Sequence, residues 1–181
     1  VHLNPFGAER LAYRFAETIL GKPVARTTTA VPAVEYRGQS AGWGGGTWRS
    51  AYASLKALAV EASQQEPVDV LFLGDSVGLS GDRTEHILYR IQDGSLDGFR
   101  PRQIVLQIGI NNVNAAEARG YRTFHGIKAV VGALEKRFPE AHILIAGPFP
   151  GGVEADSRVR NGVAEIQWLL GHSTLGPQVD L

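Results

Sequence analysis

A hydroxyl at the end of an apolar run is the first feature of this chain with chemical content: Val70-Leu71-Phe72-Leu73-Gly74-Asp75-Ser76. Pro67 and Asp69 bound a run too short for a stable helix and rich enough in Val, Leu and Phe for a strand covered on both faces. Ligands of doubly wound α/β sheets collect at the carboxyl ends of strands, so Ser76 at such an end is a candidate nucleophile. A Gly-Asp-Ser tripeptide alone is usually only a turn, and two further turns add the weight. Acyl transfer on a serine needs the nucleophile, a base to take its proton, and donors aimed at the oxyanion of the tetrahedral intermediate. The backbone N–H of Ser76 is one such donor. Gly81, which has no Cβ, lets its N–H approach an oxyanion closely. Asn111 brings a neutral side-chain NH₂ to the end of a second apolar run, Gln103 to Ile108. Asp75 reads as a turn former.

The elements that must hold these turns follow from the pattern around them. Asn4 and Pro5 start a helix with Ala8, Leu11, Ala12, Phe15 and Ile19 on one face, ended by Gly21 and Pro23. Residues 22–46 are rich in Thr, Pro and Gly and read as a surface connection. Thr47 caps a second helix bearing Trp48, Ala51, Tyr52 and Leu55, and Ala57-Leu58-Ala59-Val60 has the look of a short strand. Asp82-Arg83-Thr84-Glu85 has the form of a capping box before a helix with Ile87, Leu88 and Ile91 inward. From about Tyr121 to Phe138, the spacing of Phe124, Ile127, Val131, Leu134 and Phe138 predicts a helix with a core stripe. His142 to Ala146 predicts a strand, Asp156 to Leu170 a helix, and Gln178-Val179-Asp180 a last short strand. This alternation with short connections predicts one domain, residues 1–181, with a parallel sheet between helices.

Composition narrows the function. Lys plus Arg and Asp plus Glu are 18 each, so no charge excess points to nucleic acid or an anionic membrane. No apolar run approaches the length of a membrane span. The chain has no cysteine, which removes disulfides, thiolate metal sites and a cysteine nucleophile together. His86, His125, His142 and His172 lack paired ligand spacing and read as structural or exposed; no metal or organic cofactor is called for. No targeting segment is visible, and without an initiator Met the chain reads as a processed or trimmed form; a secreted or periplasmic location is compatible with it.

Four motifs together resemble the SGNH (GDSL-type) hydrolases, most closely the branch of the platelet-activating-factor acetylhydrolase catalytic subunits. They are Phe72-Leu73-Gly74-Asp75-Ser76, the stretch Gly78-Leu79-Ser80-Gly81-Asp82-Arg83-Thr84-Glu85-His86, Gly109-Ile110-Asn111-Asn112, and Val1-His2-Leu3-Asn4-Pro5-Phe6-Gly7. The resemblance implies a three-layer α/β/α sandwich of flavodoxin-like form, with a central parallel sheet of about five strands. It makes Ser76 the nucleophile, Ser76, Gly81 and Asn111 the oxyanion donors, and His2 the general base. The family acid lies three residues before that histidine. Here the histidine motif opens the chain, and only if the ends met would Asp180-Leu181-Val1-His2 supply the Asp-x-x-His pattern. The order of motifs reads as permuted, with Asp180 as the candidate acid; a triad is defined by geometry and roles, so that order is permissible.

A second departure lies at Gly42-Trp43 through Val60, which matches a segment that the family carries after its Gly-Asp-Ser, whereas here it comes before. Either the elements are rearranged, or the chain joins pieces that are not adjacent in its parent. The substrate implied is a small-molecule or carbohydrate ester with a short acyl group, acetyl above all. Alternatives within the same fold are lysophospholipase or arylesterase action on lipid-type esters, and transfer of the acyl group to an alcohol. The alternative from another class is a catalytically silent carbohydrate-binding domain in which Ser76 and His2 are uncoupled. Relatives include homodimers.

Overall fold

The structure, a computed structural model, describes residues 46–65, 68–74, 81–115, 119–152, 154 and 156–181. Helix α1 spans Gly46–Gln65, followed by strand β1, Val70–Gly74. Helix α2 is Thr84–Gln92, β2 is Gln103–Gln107, and α3 is a single short turn, Ile110–Asn114. Helix α4 runs over Gly120–Arg137, β3 over His142–Ile145, α5 over Arg158–Gly171 and β4 over Val179–Asp180. The N-terminal helix expected from Asn4, the 22–46 connection up to residue 45, and the turn from Asp75 to Ser80 lie outside the described residues.

The strands pair in the order β1-β2-β3-β4, all parallel. The α/β class with a parallel sheet is as the sequence predicts. The described sheet has four strands, where the resemblance implied about five. One of the segments read as a strand accounts for part of that difference: Ala57 to Val60 lies within α1. No Gly or Pro interrupts the chain from Thr47 to Gln65, and its Ala, Leu, Lys, Glu and Gln are strong helix formers, so helix propagates through four residues that in isolation look extended.

One face of the sheet is built from alternate residues. Leu73, Ile104, Leu106, Ile143 and Ile145 join one cluster with Ile87 and Ile91 of α2, Phe124, Ile127, Val131 and Leu134 of α4, and Ile166 and Leu170 of α5. A sequential strand order with right-handed crossovers puts these helices side by side on that face, and α2 packs on α4 and α4 on α5 accordingly. All the α4 residues predicted as a core stripe are buried. The alternating partners Phe72, Val105, Leu144 and Asp180 form a row on the opposite face, one residue from each strand. Helix α1 leans on the end of α2: Tyr52 meets Tyr89 edge to face with centroids 5.8 Å apart, and Lys56 Nζ donates to Asp93 Oδ2 at 3.0 Å.

Candidate active site

The carboxyl ends of β1 and β2 form the floor of the site. Gly74 ends β1 opposite Gln107, and a Cβ at Gly74 would sit 1.9 Å from the Gln107 carbonyl oxygen. That close approach requires glycine, and it brings the start of the Gly-Asp-Ser turn against β2. The chain returns at Gly81, whose φ of 85° lies in the left-handed region that side chains avoid. From there Asp82 and Arg83 lead into α2.

The entry to α2 differs in detail from the expected capping box. The N-cap is Arg83, not Asp82, and its backbone N–H donates to Nδ1 of His86 at 3.0 Å. An imidazole that accepts at Nδ1 carries its proton on Nε2, so in this arrangement His86 offers no lone pair there to a serine proton. Asp82 turns inward instead. It is completely buried, and its Oδ2 accepts from Arg90 Nη1 at 2.5 Å. Arg90, also buried, occupies the inward face of α2 between Ile87 and Ile91. Burial of either charge alone would be expensive, and together they form a compensated pair directly beneath the Gly81 turn.

Asn111 and Asn112 reach this turn from the other side. Asn111 Nδ2 donates to the Asp82 backbone carbonyl at 3.0 Å, joining α3 to the residue after Gly81. Asn112 is buried; its Oδ1 accepts the Thr84 N–H at 3.0 Å, and its Nδ2 lies 3.1 Å from Thr84 Oγ1 and 3.0 Å from Glu85 Oε2. Burial works against the Glu85 charge, but hydrogen bonds from its own backbone, Asn112 and Thr84 outweigh it and hold the carboxyl below the usual range. The two predicted oxyanion donors outside the nucleophile, Gly81 and Asn111, are thus brought to one place.

Asp180 is not part of that cluster. It pairs with Leu144 in β4, three strands away from β1, which at the usual strand spacing is about 14 Å across the sheet. It is exposed and points to the face opposite the helical core, in the row of Phe72. Ser76 and His2 lie outside the described residues. No group of three or more His, Cys, Asp or Glu side chains capable of holding a metal occurs among the described residues. No described helix is long and apolar enough to cross a membrane.

Sequence reasoning missed two functional-site features, the Asp82–Arg90 pair and the part played by Asn112. The first left a trace, since Arg90 stands where the apolar period of α2 calls for an inward residue. The second left only the place of Asn112 in the Gly109-Ile110-Asn111-Asn112 motif, because its partners are 27 and 28 positions away.

The family model for GDSL-like Lipase/Acylhydrolase matches residues 38–171. Platelet-activating factor acetylhydrolase IB subunit alpha2 of Homo sapiens, and that of Rattus norvegicus, are each 32% identical over 136 residues, covering 62% of this chain and 57% of the relative. The alpha1 subunit of Bos taurus is 30% identical over 133 residues, covering 60% of this chain and 53% of the relative. The chain spans little more than half the length of these relatives.

Proposed function

We propose that this chain, which belongs to the GDSL-like lipase/acylhydrolase family of the SGNH hydrolases, is a serine esterase that removes short acyl groups, acetyl above all, from a hydroxyl-bearing acceptor. The observation that supports this reading most directly is the Asn111 hydrogen bond to Asp82. It joins one expected oxyanion donor, the Asn111 amide, to the residue after the other, Gly81.

In the reaction we propose, His2 takes the Ser76 proton while Oγ attacks the ester carbonyl, and the N–H groups of Ser76 and Gly81 with the Asn111 amide hold the oxyanion. Collapse of the intermediate breaks the bond to the alcohol, which leaves with the proton from His2. Water then attacks the acyl-serine, again through His2, and frees the carboxylic acid and the enzyme. Asp180 serves as the acid that orients His2 and stabilises its cation. Across a gap of about 14 Å from β1, Asp180 can act only through a His2 lying between it and Ser76.

For the acceptor we take a carbohydrate O-acetyl ester as the first reading. The second, an acetylated phospholipid, is favoured by the relatives, whose names specify acetyl hydrolysis of platelet-activating factor. Hydrolysis of p-nitrophenyl acetate, beside the butyrate and octanoate esters, tests the reaction; activity that prefers acetate and is lost in Ser76→Ala and in His2→Ala supports it. An acetylated oligosaccharide and a 2-acetyl phospholipid assayed in parallel separate the two acceptors. Folded protein without turnover of any ester returns the chain to the silent binding domain.

A further inference from the structure

Helix α5 turns Gly162, Val163, Ile166 and Leu170 into the core. Two residues on from Ile166 the chain has rotated about 200°, so Trp168 faces away from the sheet. It is 60% exposed, whereas indoles are highly buried on average. The ring is nevertheless held. His172, one turn further along, stacks on it with centroids 4.4 Å apart and planes 19° from parallel. The imidazole is fixed in turn, since the His172 backbone N–H at 3.1 Å and its Nδ1 at 2.8 Å both meet the Trp168 carbonyl oxygen. That oxygen only accepts, so Nδ1 carries a proton and, in the neutral imidazole, Nε2 is an acceptor. The indole Nε1–H is a donor that bonds to none of the described residues. On the same side of the helix Ala164 is exposed and ends at its Cβ, and a Cβ on Gly171 would meet nothing within 4 Å.

We propose that Trp168 and His172 form a binding platform for a pyranose ring, separate from the candidate active site and independent of the esterase reading. An indole face is the negative side of the ring quadrupole, which suits the C–H bonds on the flat side of a sugar. Beside it, the Nε1–H donor and the Nε2 acceptor match the hydroxyls at the sugar's edge. The size of the patch argues against a protein partner or a second copy of the chain. Among the described residues the other exposed large hydrophobics are Val60, Tyr89, Tyr121, Phe149 and Leu181, so α5 adds none to Trp168. An indole exposed to this extent offers on the order of 150 Å², against about 800 Å² per partner in a specific protein interface. One sugar ring fits the smaller figure. Arg158, at the start of α5, bonds to the carbonyls that end α3, and Trp168 lies about 15 Å further along the helix. A chain of sugars held there leaves the Asn111 cluster unoccupied.

The test is titration of the chain with xylohexaose, cellohexaose and chitohexaose, followed by calorimetry and by tryptophan fluorescence, beside Trp168→Ala, Trp168→Phe and His172→Ala. At least one of the three sugars is expected to bind and to shift the indole emission. Trp168→Ala is expected to weaken that binding by more than about tenfold. Trp168→Phe, which keeps a ring face and loses the Nε1 donor, should weaken it by about threefold, and His172→Ala by a similar factor. All three substitutions are at exposed positions, and an unchanged urea midpoint shows that each variant is folded. No binding of any of the three sugars overturns the inference, as does binding that Trp168→Ala leaves intact. A concentration-dependent dimer that Trp168→Ala abolishes would assign the patch to a second copy and overturn it as well. Hydrolysis of p-nitrophenyl acetate without sugar binding keeps the esterase reading and removes the platform; sugar binding lost in Trp168→Ala, without hydrolysis, does the reverse.

Discussion

Asn111 and Asp82, 29 residues apart, meet through a 3.0 Å hydrogen bond from the side-chain amide of one to the backbone carbonyl of the other. The bond ties the first residue of α3 with a polar side chain to the residue that follows Gly81. In the proposed mechanism the same amide is one of the oxyanion donors.

Removing that amide should therefore act on the barrier. Asn111→Ala is expected to lower kcat by about 10²–10³, the usual effect of losing one oxyanion donor, or about 3–4 kcal/mol. Asn111→Asp should be no better, since a carboxylate accepts only and would bring negative charge beside the oxyanion. Steady-state kinetics on p-nitrophenyl acetate checks both; an Asn111→Asp enzyme as active as the unmutated one would remove Asn111 from the proposed mechanism.

The buried Asp82–Arg90 pair makes a prediction about stability. Arg90→Met leaves the Asp82 carboxylate in a site with no solvent exposure and no cation at 2.5 Å. A loss of about 3–5 kcal/mol in urea unfolding is expected, because a buried carboxylate loses the guanidinium that compensates its charge. Asp82→Asn combined with Arg90→Met removes both charges and should recover most of that loss. Equal losses in the single and double variants would mean that packing, not charge compensation, holds this turn.

Two glycines of the site should fail for different reasons. Gly81→Ala forces a side chain into the left-handed region, where φ is 85°, at a cost of about 1–2 kcal/mol. Gly74→Ala drives a Cβ against backbone, the Gln107 carbonyl at 1.9 Å, and neither strand can yield without breaking the β1–β2 ladder. Thermal unfolding should show a modest shift for the first and a much larger one for the second. The order reversed would contradict the close approach of β1 to β2.

Much of this frame is legible in the residues themselves. Gln103 to Ile108 and His142 to Ala146 are apolar runs of strand length, and the structure has β2 and β3 there. The stripe from Phe124 to Phe138 has helical period, and every member is buried. Ala57 to Val60 misleads because four apolar residues have no measurable period; the helix around them is decided by the uninterrupted twenty-residue stretch to which they belong. Asp82 misleads for a different reason. An acidic residue before Thr84 and Glu85 looks like an N-cap, and only the tertiary fold shows that Arg90, across two turns of helix, competes for its carboxylate and wins. Asn112 is illegible in principle from local pattern, since its partners enter from another strand-helix unit.

The contact between α1 and the end of α2 gives the chain a defined pH response. Tyr52 OH donates to Ser95 Oγ at 2.9 Å, Ser95 Oγ lies 2.9 Å from Asp93 Oδ1, and Lys56 Nζ reaches Asp93 Oδ2 at 3.0 Å. Burial, and next a hydrogen bond with Asp93, push the Tyr52 hydroxyl up from 10.0 to about 12, with Ser95 opposing. A group whose folded value is raised contributes stability that is whole below its unfolded value and falls as pH rises. Stability should accordingly decline between pH 10 and about pH 12. Asp93 has the opposite sense. Burial raises it, but hydrogen bonds from Tyr52, Lys56 and Ser95 outweigh burial and hold it below its ordinary 3.8, so its contribution is whole above that pH and is lost as pH falls through the depressed value. Tyr52→Phe removes the alkaline decline due to this group and takes one donor from Asp93, moving the acid limb of the stability curve upward in pH. Urea unfolding across pH for the two proteins measures both limbs, and an alkaline slope unchanged by Tyr52→Phe would show that the hydroxyl is not held in this contact.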